Sequence, residues 1–354
     1  MKELRRTTLA ATVVMALAGS LAACAGSGPS AGQGSSVVTL YSADGLKSED
    51  GKGFYDKVFK DFTAKTGVRV EYVEGGSGEI VQRLLREKSN TKADVIVTVP
   101  PFIQQAVGKG LITPYRPAGA DAVPAADKDA DGAWTTVVNN YLCFIHNTRR
   151  LPEPPASWND LLDAGFRGKL QYSTPGVAGD GTAVLIKAMH DFGGIQGAAD
   201  FLRKLQKNNV GPSKSTGALA AKVDKGELLV ANGDVQMNYA GMKSMPNQGI
   251  FFLAGPGGKP STFALPYAGG LVKSAPHPVS GRMLLDFLLT ESVQGQVSAV
   301  AGGFPARSDV PATGDDAARL AALLKGVDVF APDWKDIDAN LKSYTDAWNR
   351  ATGS

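Results

Sequence analysis

Val37-Val38-Thr39-Leu40-Tyr41-Ser42-Ala43-Asp44-Gly45 is an apolar run that stops in a small polar loop, and the same unit recurs twice downstream. Residues 68–73 lead into Gly75-Gly76-Ser77-Gly78, and residues 93–98 lead into Thr98-Val99-Pro100-Pro101. Between and after these runs, apolar residues recur at helical spacing over 54–65, 80–88 and 102–109,. The alternation predicts strand, helix, strand, helix, strand, helix, and hence parallel strands joined by right-handed crossovers. Ligands of such open sheets bind beyond the carboxyl ends of the strands, where the three loops stand. Ser42, Asp44, Ser77 and Thr98 are the polar side chains those loops offer.

Working outward, a long apolar run at 137–145 opens a second alternating series. It predicts helices at 158–164, 182–192, 198–207 and 218–225, and strands at 170–172, 228–231 and 235–239. Residues 269–273 then cross back to the first series, and helices at 283–289, 293–300, 315–324 and 334–348 close the chain. The fold class is therefore α/β with two lobes, each a mostly parallel sheet flanked by helices. The expected boundaries are 37–136 for the first part of lobe I, 137–267 for lobe II, and 268–354 for the return to lobe I and the C-terminal helices. Two crossing segments, near 135–141 and 265–270, form a hinge suited to closure around a ligand.

Ser173 to Thr182 follows a short strand and precedes an apolar helix, so hydroxyls and free N–H groups gather at Ser173, Gly181 and Thr182,. Asp180 there reads as a helix cap that must point away from an anion or meet a cation. Ser213-Lys214-Ser215-Thr216-Gly217 repeats the arrangement, with Ser215 and Thr216 ahead of a helix. Two such seats in one lobe favour a phosphate-like or sulfonate-like group. Asn140, Tyr141 and Tyr239 are the amide and aromatic groups expected to complete a small pocket, and Asp44, Glu79 or an aromatic face can take an ammonium.

Several chemistries lack their residues. Gly75 to Glu79 approaches the Gly-x-Ser-x-Gly elbow of hydrolases but ends in Glu, which leaves Ser77 as an anion contact or, alternatively, a nucleophile,. His146, His190 and His277 are scattered without metal-ligand spacing, and no Gly-x-x-x-x-Gly-Lys-[Ser/Thr] loop occurs,. No catalytic residue, metal or cofactor is expected.

The N-terminus supplies an address. Lys2, Arg5 and Arg6 precede an apolar stretch that ends in Leu21-Ala22-Ala23-Cys24, the pattern of a bacterial lipoprotein signal cut before a lipidated cysteine,. Residues 1–23 are the signal, and 24–36 are a Gly- and Ser-rich tether spanning roughly 20 Å,. Export by the general route or by a twin-arginine route through Arg5-Arg6 both remain open. Loss of the leader removes three basic side chains and Glu3, a net +2, so the formal charge drops from +3 to +1. A nearly neutral exported body is a poor nucleic-acid binder. The mature part, about 318 residues beyond the tether, is long enough for two lobes,. With Cys24 assigned to lipid, Cys143 is a lone thiol in an apolar run and no intrachain disulfide is expected,.

Five segments resemble, in order, the periplasmic-type binding proteins of ABC importers: 38–45, 62–68, 93–98, Ser157-Trp158-Asn159-Asp160-Leu161-Leu162 with Gly168-Lys169-Leu170, and Ala301-Gly302-Gly303-Phe304-Pro305-Ala306-Arg307. Within that superfamily, Tyr41-Ser42-Ala43-Asp44-Gly45-Leu46-Lys47 and Thr98-Val99-Pro100-Pro101-Phe102-Ile103-Gln104-Gln105-Ala106 are most similar to 2-aminoethylphosphonate-binding proteins. The resemblance implies a class II two-lobed binding fold, an aminophosphonate as ligand, and a permease and ATPase as partners of a lipid-anchored monomer on the outer face of the cytoplasmic membrane. Ferric-ion-binding relatives carry adjacent tyrosines as metal ligands. Here the matching position reads Asn238-Tyr239-Ala240, so the pair is broken, although ferric ion, phosphate or another oxyanion remains an alternative ligand, and a secreted hydrolase using Ser77 an alternative of another class.

Overall fold

The computed structural model describes residues 36–48 and 50–353. The signal, the tether and Cys24 lie outside the described residues. Strand β1 (Val37–Ala43) runs parallel to β2 (Arg69–Gly75) on one side and to β3 (Val95–Thr98) on the other. Helices α1 (Phe54–Thr66) and α2 (Ser77–Arg86) make the crossovers, and α3 (Phe102–Gly108) follows β3. In α1 the buried face is Phe54, Tyr55, Val58 and Phe62, an i, i+4, i+8 stripe, and Gly67 ends the helix in the left-handed region at φ 74°,. From β1 through α3 the chain thus folds as its periodicity predicts.

After β4 (Ile112–Thr113) the apolar run that reads as one segment is two strands, β5 (Thr135–Asn139) and β6 (Leu142–Asn147), split at Asn140-Tyr141. The split is the passage from one sheet to the other. Next come β7 (Leu170–Gln171), α4 (Gly179–Asp191), α5 (Ile195–Leu205), α6 (Gly217–Asp224), β8 (Val230–Asp234), α7 (Val235–Gly241), β9 (Gln248–Phe251) and β10 (Ser261–Thr262). The chain returns in β11 (Tyr267–Val272) and continues through α8 (Pro278–Leu288), α9 (Glu291–Gln294), β12 (Phe304–Pro305), α10 (Gly314–Leu323), β13 (Asp328–Val329) and α11 (Trp334–Thr352).

Two lobes result, each built on one sheet. The first has the order β12-β5-β11-β3-β1-β2 with β4 beside β11, and the second the order β7-β8-β6-β9. Both are mixed rather than mostly parallel. Helical crossovers set β1, β2 and β3 parallel, whereas β11 and β5 connect to the other lobe and enter antiparallel,. In the second sheet β6 pairs antiparallel with both β8 and β9, and only β7 is parallel to β8. The two passages between sheets are bonded to each other: Leu265 N donates to Asn140 O at 2.8 Å and Leu142 N to Phe263 O at 3.3 Å. A third passage follows β12. Leu320 of α10 packs with Leu219, Val223 and Val235, while Trp348 of α11 donates to Tyr172 OH at 3.2 Å.

Three local expectations change. Residues 235–239, with alternating apolar side chains, form helix α7 instead of a strand. Asp234 caps it by accepting from Met237 N at 2.7 Å, which turns the chain immediately after β8,. Residues 158–164 form two short 3-10 turns, Trp158–Leu162 and Ala164–Phe166, because the Ser157–Asp160 capping pair closes a tight turn and Asp163 caps the next. The helix expected at 293–300 is α9 followed by a π-helical turn, Val297–Ala301, that Gly302 terminates at φ 76°.

Candidate ligand-binding cleft

A small cleft lies where the strand ends of the first lobe meet the helix starts of the second. Ala43 and Asp44 follow β1, Val99 follows β3, and Tyr267 begins β11. Ser77, which opens α2, stands on the same side, and opposite are three helix beginnings of the second lobe: Gly179 and Asp180 open α4, Thr216 precedes α6, and Asp234 caps α7 ahead of Met237. Neither α2 nor α4 has a side-chain cap. Their first-turn N–H dipoles therefore make the surroundings favourable to an anion. The wall is close: a Cβ at Gly179 would sit 2.7 Å from Ser77 Oγ and 2.5 Å from Val99 Cγ2, so only glycine lets α4 approach α2 this way,.

Against those dipoles the cleft presents three carboxylates. Asp44, Asp180 and Asp234 all line it, and among the described residues none of them is paired with a Lys, Arg or His. Burial raises all three above the usual carboxylate range. Asp234 is pushed up to about 6 by burial, against the opposing hydrogen bond from Met237 N. Asp180 is raised well above its ordinary value, first by burial and then by the charges of Asp234 and Asp44. Asp44 is raised by burial and restrained by Ser215, whose hydroxyl donates to Oδ2, and by Gly217 N at 3.3 Å. Burial lifts the Tyr267 phenol well above its ordinary value, with the nearby aspartates adding to the effect. Such a set holds a cation well, since an ammonium removes the mutual repulsion and satisfies several oxygens at once.

Of the residues expected from sequence, Asp44, Ser77 and Thr216 line the cleft. Ser215 holds Asp44, and Ser173 stands behind Thr216, Oγ to Oγ1 at 2.9 Å, with its own N–H on Asn232 Oδ1 at 2.9 Å. Thr98 braces the site from behind by donating to Ser77 O at 3.3 Å. Others face elsewhere. The Ser42 hydroxyl donates to Ala43 O at 2.9 Å and neighbours Tyr55 OH at 3.4 Å. The Thr182 hydroxyl is spent inside its own turn, donating to Ala178 O and accepting from Gly176 N, both at 2.9 Å. Gly181 is a packing glycine, because a Cβ there would lie 2.3 Å from Ser173 O. Asn140 Oδ1 accepts from Tyr141 N and Gln236 N, both at 2.8 Å, and so secures the passage between the lobes. Tyr141 meets Phe304 edge-on at 5.3 Å between ring centroids. Tyr239 donates to Asp316 Oδ1 of α10 at 2.8 Å, away from the cleft.

Sequence reasoning missed Asp234, Val99, Gly179 and Met237 as lining residues and read Asp180 as a cap that either points away from an anion or meets a cation. Asp234 had a readable signal, an Asp after Asn232-Gly233 at the end of an apolar run, which marks a helix start. The charge Asp180 brings needs a cation, and the structure places it facing the cleft rather than away from it. Ser77 has no histidine beside it: His146 Nδ1 bonds Leu151 O, His190 stacks on Phe330, and His277 bonds Asp94.

Comparison with known proteins agrees with the architecture. The model of the bacterial extracellular solute-binding protein family matches residues 45–295. A Salmonella paratyphi A protein named "Putative 2-aminoethylphosphonate-binding periplasmic protein" is 47% identical over 319 residues, covering 90% of this chain and 93% of its own. The solved structure of the periplasmic binding protein P5PA superposes with a TM-score of 0.76 at 20% identity, over 89% of this chain and 99% of that one. The apo ferric ion-binding protein A of Pasteurella haemolytica does so with a TM-score of 0.71 at 18% identity, over 90% and 98%. At those identities the two structures establish the fold alone, a class II periplasmic-binding architecture of two lobes. With the family model covering most of the chain and a relative near half identity along nine-tenths of it, the chain belongs to the bacterial extracellular solute-binding protein family.

Proposed function

We propose that the chain is the receptor of an ABC importer that captures 2-aminoethylphosphonate between its lobes and presents it to the permease. The observation that carries this reading is the pairing, within one small cleft, of uncompensated carboxylates with uncapped helix starts. A zwitterion with an ammonium at one end and an oxyanion at the other matches both. The ammonium goes to Asp180 and Asp234, and the phosphonate oxygens to the Ser77 hydroxyl and the first turns of α2 and α4. Orthophosphate or an alkylphosphonate would bring negative charge to three aspartates with nothing to offset it, so the amine is the selected feature. The name of the Salmonella relative supports the same ligand.

No covalent step is needed. Capture without turnover fits a serine at the mouth of a helix with no histidine beside it, all three histidines being engaged elsewhere. The receptor works outside the cytoplasmic membrane as a monomer, tethered by lipid on Cys24, and no helix among the described residues is long and apolar enough to cross a membrane.

Thermal unfolding tests the ligand, with 2-aminoethylphosphonate, methylphosphonate, phosphate, ethanolamine and ferric citrate each added in excess. The cognate ligand at a hundred times its Kd adds about 2.7 kcal/mol, a shift of several degrees. A shift with 2-aminoethylphosphonate and none with phosphate or ethanolamine is expected. An equal shift with methylphosphonate would remove the amine from the reading, and a shift with ferric citrate alone would replace the ligand.

A further inference from the structure

Helix α6 belongs to the second lobe, yet its N-terminus is capped from the first. Its own N-cap, Thr216, makes no capping bond, and the Thr216 hydroxyl pairs with Ser173 Oγ at 2.9 Å. Gly217 N is shared between Ser215 Oγ at 3.2 Å and, from the other lobe, Asp44 Oδ2 at 3.3 Å, and that carboxylate oxygen also takes the Ser215 hydroxyl. The adjoining residue continues the contact, because Gly45 O accepts from Gln236 Nε2 of α7 at 3.0 Å. Gly45 has φ 111° and a Cβ there would lie 2.6 Å from Tyr267 OH, so this loop reaches the opposite lobe only with glycine at the bend,. A second strap, Gly78 N to Val177 O at 3.0 Å, crosses nearby.

We infer that Asp44 is a positioning residue for lobe closure: a cross-cleft latch that caps α6 in trans and holds the lobes together before any ligand arrives. An Asp at a helix N-terminus gains from both the N–H groups and the dipole, and the charged acceptor makes the bonds stronger than neutral ones. The latch is also self-limiting. Closing desolvates Asp44, and opening returns both the carboxylate and the α6 start to water, so the net preference for the closed state is modest and reversible. A ligand then selects and reinforces a conformation the receptor already visits, and its exchange runs through rupture of the Asp44 contacts to Ser215 and Gly217.

The inference concerns closure in the absence of ligand, so it stands or falls separately from the identity of the ligand. The test is a distance measurement by electron-spin resonance on the full chain with Cys24→Ser, spin-labelled through Lys60→Cys on α1 and Lys204→Cys on α5. Both lysines are exposed, and the buried Cys143 stays unlabelled. Without ligand, the parent chain should show a populated short-distance peak. Asp44→Asn, and independently Ser215→Ala, which leaves the carboxylate in place, should each lower the closed-to-open ratio about tenfold. Ser215→Thr, which keeps the hydroxyl, should restore it. A parent distribution that is wholly open without ligand would overturn the latch. So would distributions unchanged in both Asp44→Asn and Ser215→Ala.

Discussion

The hydroxyl of Tyr267 donates to the backbone oxygen of Asp44 at 2.9 Å, joining the first residue of β11 to the loop that follows β1. The same hydroxyl of Tyr267 stands 3.4 Å from Asp234 Oδ2, so one phenol on the floor of the cleft touches the backbone behind one aspartate and the side chain of another. Both groups come from distant parts of the chain, and both face the ligand space.

Tyr267→Phe removes this donor without changing the shape of the floor. The loss of a buried hydrogen bond should cost about 1–2 kcal/mol, seen as a lower denaturant midpoint with an unchanged slope. Ligand affinity should fall as well, since the Asp44 loop loses its support. A midpoint equal to that of the parent would show that the phenol is not needed to hold the loop.

Asp234→Asn keeps an acceptable N-cap for α7 while deleting a buried charge. In the absence of ligand at pH 7 the variant should be more stable, by roughly 1–3 kcal/mol, because the repulsion from Asp180 and Asp44 disappears. Its affinity for 2-aminoethylphosphonate should drop at least about tenfold. Melting curves with and without ligand read both quantities. A variant that loses stability and keeps affinity would contradict the assignment of Asp234 to the ammonium.

The raised acidities set a direction for pH. In the unfolded chain Asp234 titrates near 3.8, and in the folded chain near 6. The folded state therefore holds the proton more tightly. This contribution to stability is fully present below about 4 and is lost as pH rises through 6, a difference on the order of 3 kcal/mol. Asp180 shifts in the same direction. The ligand-free protein should melt higher at pH 5 than at pH 7. Ammonium binding favours the charged carboxylates, so affinity should rise with pH across the same window and binding should release protons. Calorimetric titration at pH 6 in buffers of different ionisation enthalpy measures that release, and heats that are equal in all buffers would refute it.

Away from the cleft, Lys187 is 1% and Asp191 4% exposed, with Nζ 2.8 Å from Oδ2 and 2.6 Å from Ser261 Oγ. Asp191 also accepts from Trp158 Nε1 at 2.6 Å. Lys187→Ala leaves that carboxylate buried without its partner and should cost about 3–5 kcal/mol, with ligand affinity unchanged in whatever fraction remains folded. Denaturant unfolding of the variant checks the size of the loss, and a cost below about 1 kcal/mol would mean that Asp191 is held well enough by Trp158 and Ser261.

Some of this was legible in the residue order and some was not, for physical reasons. The series β1-α1-β2-α2-β3 reads directly because apolar periodicity reports the buried face of each element. The helix starts at Ser77 and before Gly217 read directly because hydroxyls and glycines gather where N–H groups lack partners. Residues 235–239 misled because Val, Met and Tyr alternate there as in a strand, while the cap at Asp234 and the bond from Gln236 N to Asn140 Oδ1 decide for a helix. Thr182 and Tyr239 have the chemistry of ligand contacts, but a hydroxyl serves whichever acceptor its backbone brings near, here Ala178 O and Asp316.

By itself the sequence determined a two-lobed α/β body with small polar loops at its strand ends, since those properties rest on local spacing and turn chemistry, and the binding role came from its resemblance to periplasmic-type binding proteins. Only the tertiary structure decided that Asp44, Asp180 and Asp234 meet in one cleft and that Asp44 caps a helix of the opposite lobe. Charge clustering and trans capping are consequences of which surfaces pack together, and no window of sequence contains both partners.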